Sequence, residues 1–346
     1  MPLHQNSGRW RLGLALALIT VSFWGVLPIA LTVALQAIDP YTVTWFRFLI
    51  SFLLLAAFLG LRGQLPTWKI LKAARLELLA IATVFLAANY LLFVLGLINT
   101  SPANSQVIIQ LSPVFLTVGG LMIFKERYAR SQWLGLGLLM AGMSLFFNDQ
   151  LRELAIASPN YLLGSGILVL AAAAWAVYAL AQKQLLQQLP SATIMLVIYG
   201  GSALLFTPFS SPEQLLDLTP FQWGMLLFAA LNTLLAYGAF AEALNHWEAS
   251  RVGAVISLTP IVTLGAVAIA AQLLPSSIAA EQITRLGFAG AVLVVAGSFY
   301  DRVWGSDSLY PNRSSGRWID RCARIAKCYT PIGKLEFWYC SLLFVG

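Results

Sequence analysis

The stretch LGLALALITVSFWGVLPIALTVALQ (12–36) carries no charged side chain from Leu12 to Gln36. About 20 mostly apolar residues cross the hydrocarbon core of a bilayer as a helix, so this run is long enough to span. A cleaved leader has an apolar core of about 7–15 residues before a small-residue cleavage site, and this run is longer. With Arg9 and Arg11 ahead of it, it reads as a first transmembrane helix that stays in the protein.

The pattern repeats along the 346 residues. Further spans are expected at 41–61, 77–98, 103–124, 132–148, 161–182, 192–209, 220–244, 252–273 and 286–303, separated by short connectors rich in Pro, Asn, Ser, Gly or charge. Mean hydropathy is +0.78 and only 10% of residues are charged, against about 25% in soluble domains. Lipid, rather than water, is the solvent that suits such a surface. The fold class is therefore an all-α polytopic membrane protein of ten helices.

The net charge of +7 raises nucleic acid as a partner. Its distribution argues against that. With the N-terminus in the cytoplasm, the inner segments hold 18 of the 21 basic residues. The outer loops hold Arg152 and Arg285, and Arg47 lies within a span. Such sorting is the positive-inside rule, and it places both termini in the cytoplasm. The acidic lipid surface is the expected partner for these loops. Cys322, Cys328 and Cys340 show no metal-ligand spacing, and His4 and His246 are the only histidines. No metal and no cofactor are expected, and the thiols read as free.

The chain also repeats itself. A shift of 147 lays Tyr90, Phe93, Leu97, Ile109, Leu111 and Pro113 on Tyr237, Phe240, Leu244, Ile256, Leu258 and Pro260. A shift of 151 lays Trp24 on Trp175, and one of 155 lays Glu126, Arg130, Gly135, Ala141 and Gly142 on Glu281, Arg285, Gly290, Ala296 and Gly297. Residues 12–148 and 161–303 read as duplicated five-helix units. They are flanked by a cytoplasmic N-terminus (1–11), an external linker (149–160) and a basic cytoplasmic tail (304–346). Five is odd, so the second unit enters the membrane from the opposite face and the repeats are inverted. Transporters use this design, with the substrate site between the repeats.

The segments VSFWGVLPIA (21–30), DPYTVTWFRFLIS (39–51), NTSPANSQVIIQLSPVFLTVGGLMIFKERYARSQWLGLGLLMAGMSL (99–145) and ASRVGAVISLTPIVTLGAVAIAAQLL (249–274) resemble the EamA-like branch of the drug/metabolite transporter superfamily. The resemblance covers roughly residues 12–303. It implies an inner-membrane carrier with a central cavity between the halves, moving amino acids, other metabolites or drugs, often outward. The chain departs from its own first half at the second Glu junction, where Lys125 and Arg127 become Ala280 and Gln282.

Several side chains are candidates for the cavity wall. Trp24 and Trp175 lie too deep for a headgroup belt, and either line a cavity or pack helices. Arg47 lies about 9 Å into its helix from residue 41. It can snorkel outward, cap carbonyls of a neighbouring helix, or bind a solute carboxylate. The repeat places Val197 opposite it. Asn89, Tyr90, Gln110 and Ser112 in one half, and Tyr178, Asn232, Tyr237, Ser257 and Thr259 in the other, bring polar groups into spans. They serve interhelical hydrogen bonds or a shared cavity. Pro113 and Pro260 interrupt their helices, as gates or as fixed kinks. Gly135, Gly137 and Gly142 suit close helix packing. Glu126 and Glu281 suit helix N-termini, and Glu242 lies near a span's inner end.

No Asp or Glu lies mid-span, which disfavours proton-coupled export of cations. No nucleophile–base pair or metal cluster suggests an enzyme. The sequence therefore predicts a transporter of small polar metabolites acting by alternating access. A lipid-linked sugar flippase or a drug efflux carrier is the alternative. The expected partners are a small-molecule solute and the lipid bilayer, with a homodimer admitted.

Overall fold

The computed structural model describes residues 8–67, 70–71, 74–100, 102–123, 130–146, 148, 159–256, 258–273, 286–287, 289–290 and 292–293. The side chains of Pro113 and Ser257, the junctions at Glu126 and Glu281, most of the expected tenth span and the tail from 304 onward lie outside what is described.

The secondary structure among the described residues is all helical, with no strand. Six helices are long and apolar enough to cross a membrane. They are α1 (Trp10–Ala34), α2 (Pro40–Leu61), α3 (Leu76–Asn99), α7 (Pro159–Leu185), α8 (Ser191–Phe206, prolonged by a 3-10 turn, Thr207–Phe209) and α9 (Pro220–His246). Between them lie α4 (Pro102–Ile108), α5 (Leu111–Ile123) and α6 (Arg130–Phe146); α10 (Ala249–Ile256) and α11 (Thr259–Leu273) follow α9. The chain is a multi-pass membrane protein.

Helix ends follow local chemistry. Asp39 accepts hydrogen bonds from the N–H groups of Tyr41 and Thr42, and Pro40 takes the first position of α2, where its missing N–H costs nothing. Thr219 and Gln222 form a reciprocal capping box at α9, again with Pro at the first position. Inside the spans, hydroxyls return to their own helix. Thr44 donates to the Pro40 carbonyl at 2.7 Å and Thr83 to that of Leu79 at 2.8 Å, which satisfies a polar group where lipid offers no partner.

The expected spans at 103–124 and 252–273 are each two segments rather than one helix. The first breaks at Ile109 and Gln110, between α4 and α5; the second breaks between Ile256 and Thr259. The cause is the proline three or four residues on. Pro113 has no N–H for the Ile109 carbonyl and Pro260 none for that of Ile256. The second half repairs the loss with a side chain: the Thr259 hydroxyl donates to the Ile256 carbonyl. The first half repairs it with backbone: Ser112 N–H donates to the Ile109 carbonyl at 2.8 Å, and the Ser112 hydroxyl is left without a partner among the described residues.

Packing pairs helices across the two halves. α1 lies along α9, and α7 lies along α3. The α1–α9 seam is close because Gly13 has no Cβ. One built there would sit 2.7 Å from Cβ of Trp247. The α3–α7 seam has the same device: a Cβ on Gly164 would sit 2.6 Å from Cβ of Asn99. α2 also packs on α8 and α9, while α8 packs on α3. Gly135 and Gly142 are buried as expected of packing glycines, but Gly137 is exposed and a Cβ there would meet nothing within 4 Å.

Candidate functional site: a polar-lined central cavity

At the centre of these crossings lies a partly open cavity, with about 80 Å³ open to the centres of water molecules. Its walls come from both halves. Trp24 and Leu27 project from α1, Arg47 from α2, Asn89 and Tyr90 from α3, Gln106 from α4, and Ser112 from α5. Trp175 of α7, Tyr237 of α9, Ile256 of α10 and Thr259 of α11 complete it.

The aromatic wall is continuous. Trp24 meets Trp175 edge-on with ring centroids 5.7 Å apart, and Tyr237 at 4.9 Å. Tyr237 meets Tyr90 at 5.2 Å. The guanidinium carbon of Arg47 stands 4.3 Å from the centre of the Tyr90 ring, a distance at which the ring face attracts a cation.

Arg47 is 2% exposed although it sits about 10 Å along α2 from Pro40. It does not snorkel outward. Its Nε donates to the Thr233 hydroxyl at 3.1 Å and, less closely, to the Ala229 carbonyl at 3.3 Å, both on α9. The carbonyl-capping reading is thus observed, and the same side chain also faces the cavity.

Several wall groups have unmet hydrogen bonds. The indole N–H of Trp24, Oε1 of Gln110 and Oγ of Ser112 are buried without a partner among the described residues. The Tyr90 hydroxyl lies beside Thr233 and Tyr237 without a well-formed hydrogen bond to either. Leaving a buried polar group unsatisfied costs about 1–3 kcal/mol. Four such groups on one wall, in a space large enough for water or a solute, mark it as a wet or ligand-bearing surface. Asn89, by contrast, is engaged: its amide donates to the Ala171 carbonyl at 2.9 Å.

Of the side chains expected on the wall, Trp24, Arg47, Asn89, Tyr90, Gln110, Trp175 and Tyr237 are there, with Ser112 and Thr259. Two are not. Asn232 is fully buried in the α1–α9 seam, donating to the Phe23 carbonyl. Tyr178 is fully buried behind the aromatic wall, its hydroxyl 3.6 Å from the Met195 sulfur. Glu242 lies off the cavity as well. It accepts from the Ser191 hydroxyl and approaches Nε2 of His246 at 3.2 Å, joining the start of α8 to the end of α9. Gln106 and Phe93 are wall residues that the sequence reading passed over. The signal for Gln106 was its position one helical turn before Gln110, on the same face.

Comparison with known proteins then bears on identity. The model of the EamA-like transporter family matches residues 11–148 and again 162–300. The chain is 38% identical over 308 residues to the uncharacterized inner membrane transporter YhbE of Escherichia coli K12, covering 88% of this chain and 95% of that one. It is 25% identical over 303 residues to a probable amino-acid metabolite efflux pump of Salmonella typhimurium, covering 84% of this chain and 94% of the relative. A solved crystal structure shares the fold, with a TM-score of 0.64 at 16% identity over 84% of this chain and 97% of the other. The chain belongs to the EamA-like transporter family.

Proposed function

We propose that this protein moves small polar metabolites, amino acids among them, across the cell's inner membrane, outward, by exposing its central cavity to each side in turn. Both termini lie in the cytoplasm, as the basic residues are sorted. The halves are two inverted five-helix repeats that rock about the cavity. The observation that carries the reading is the cavity wall itself, with four polar groups left unpartnered in the middle of an apolar bundle.

The packing supports the inversion. Residues related by the sequence repeat meet each other at the centre, Trp24 against Trp175 and Tyr90 against Tyr237. Nearly every helix pair has a counterpart: α1 with α9 and α7 with α3, α1 with α11 and α7 with α5, α2 with α9 and α8 with α3. The double match of one family model points the same way. Transport is supported by the family and by the inner-membrane relative, and the metabolite class by the relative named as an amino-acid metabolite efflux pump.

The test is flux. Purified protein in proteoliposomes is loaded with a panel of labelled amino acids and small neutral, anionic and cationic metabolites. Counterflow of at least one panel member, absent from empty vesicles, is the expected result. No flux for any member in protein shown to be folded overturns the reading.

A further inference from the structure

Arg47 is a buried cation without an anionic partner among the described residues. The ionisable groups nearest it are the tyrosines Tyr90, Tyr237 and Tyr199. Its Nε is committed to α9, while its two terminal nitrogens have no hydrogen-bond partner among the described residues. An unpaired charge at this depth is costly, and buried charges in membrane helices characteristically pair with something. Val197 occupies the equivalent place in the second half. No carboxylate is among the described residues that line the cavity.

The neighbouring unpartnered groups share a bias. An indole N–H can only donate, and the Tyr90 and Ser112 hydroxyls can each donate. Gln110 Oε1 is the one of the four that can only accept. The chain breaks before Leu111 and Thr259 also set the N-terminal ends of α5 and α11 beside the wall, where Ser112 and Thr259 line it. Helix N-termini favour negative charge. Donors, a lone cation and two helix starts together describe a receptor for an acceptor-only, negatively charged group. A primary ammonium would find acceptors in Gln110 and the two hydroxyls, but it would meet the repulsion of the Arg47 guanidinium.

We propose that the cavity selects small carboxylates. Arg47, through its terminal nitrogens, is the specificity-determining residue, and the aromatic wall of Trp24, Trp175 and Tyr237 receives the solute's apolar body. An α-ammonium is tolerated but not required. The inference deepens the transport reading and rests on it for its biological meaning, but the binding it asserts is measurable without flux.

The experiment is equilibrium binding to the purified full chain, read by tryptophan fluorescence and thermal shift, with isocaproate, isocaproamide, leucine and isohexylamine. These solutes share one branched body and differ in charge. Isocaproate and leucine are expected to bind about ten- to hundredfold more tightly than the amide, the range that a charge-assisted hydrogen bond supplies. Isohexylamine is expected not to bind. Arg47→Met is expected to bring the acid-to-amide ratio to about one, with a cooperative thermal melt of the unliganded variant showing that it is folded. Arg47→Lys is expected to retain an acid preference of reduced size. Equal binding of acid and amide by the wild type, or an acid preference that survives Arg47→Met, overturns the inference even if flux is observed. A clear acid preference in a protein that moves nothing supports the site and sinks the transport reading instead.

Discussion

Gly164→Ala tests the α3–α7 seam most sharply. The new Cβ would lie 2.6 Å from Cβ of Asn99 and 2.9 Å from Cγ2 of Thr100, with the Asn99 carbonyl carbon at 3.3 Å. Ordinary contact begins at 3.4 Å, so the first contact is short by 3.4 − 2.6 = 0.8 Å. Cβ of Asn99 is fixed to its backbone and cannot rotate away, so α7 and α3 must separate along the seam. Overpacking of this kind costs about 1–3 kcal/mol. Alanine's better helix propensity returns up to about 1 kcal/mol. The control is two residues away on the same helix: a Cβ on Gly166 meets nothing within 4 Å, and Gly166 is exposed. Melting of purified protein in detergent should therefore fall by several degrees for Gly164→Ala, at about 2–4 °C per kcal/mol, and be level or slightly higher for Gly166→Ala. Gly13→Ala, at the matching place in the α1–α9 seam, should fall like Gly164→Ala. Equal melting temperatures for Gly164→Ala and Gly166→Ala would refute the close approach and the seam built on it.

Other outcomes follow from the wall and the chain breaks. Thr259→Val removes the hydroxyl that satisfies the Ile256 carbonyl, and should cost about 1–3 kcal/mol in a detergent melt. Ser112→Ala removes a hydroxyl with no partner and should leave the melt unchanged while slowing counterflow. Trp24→Phe deletes an unpartnered indole N–H and should weaken solute binding about tenfold without a loss of stability. Asn232→Ala should lower the melting temperature through the lost bond to Phe23, yet leave the ranking of solutes in a competition assay unchanged, because Asn232 lies off the wall.

Most of the fold was legible because lipid imposes a simple rule on sequence. Long apolar runs became α1, α2, α3, α7, α8 and α9 within a few residues of the expected bounds. The repeat offsets named the residues that meet at the centre, since Trp24 and Trp175, and likewise Tyr90 and Tyr237, are ring neighbours. The sequence was less able to place the breaks. A proline announces that a carbonyl will be freed, but the helix parts at that carbonyl, three or four residues earlier. It was least able to say which polar side chains face the cavity. Asn89 and Asn232 look alike in sequence; one lines the cavity and the other is sealed in a seam. Rotation about a helix axis decides this, and near-uniform apolarity leaves little periodicity from which to read it. Arg47 was visible as an anomaly, but its three competing roles were separated only when its Nε was found on α9.

The central claim is that the cavity is the route and opens to both sides. Its most direct test is the accessibility of a single cysteine at Gln110, introduced after Cys322, Cys328 and Cys340 are replaced by serine. A membrane-impermeant thiol reagent is applied to oriented vesicles from one face and then from the other. The account predicts labelling from both faces, slowed by a transported solute, and loss of counterflow once the cysteine is labelled. Labelling from one face alone, or flux undiminished by complete labelling, would contradict it.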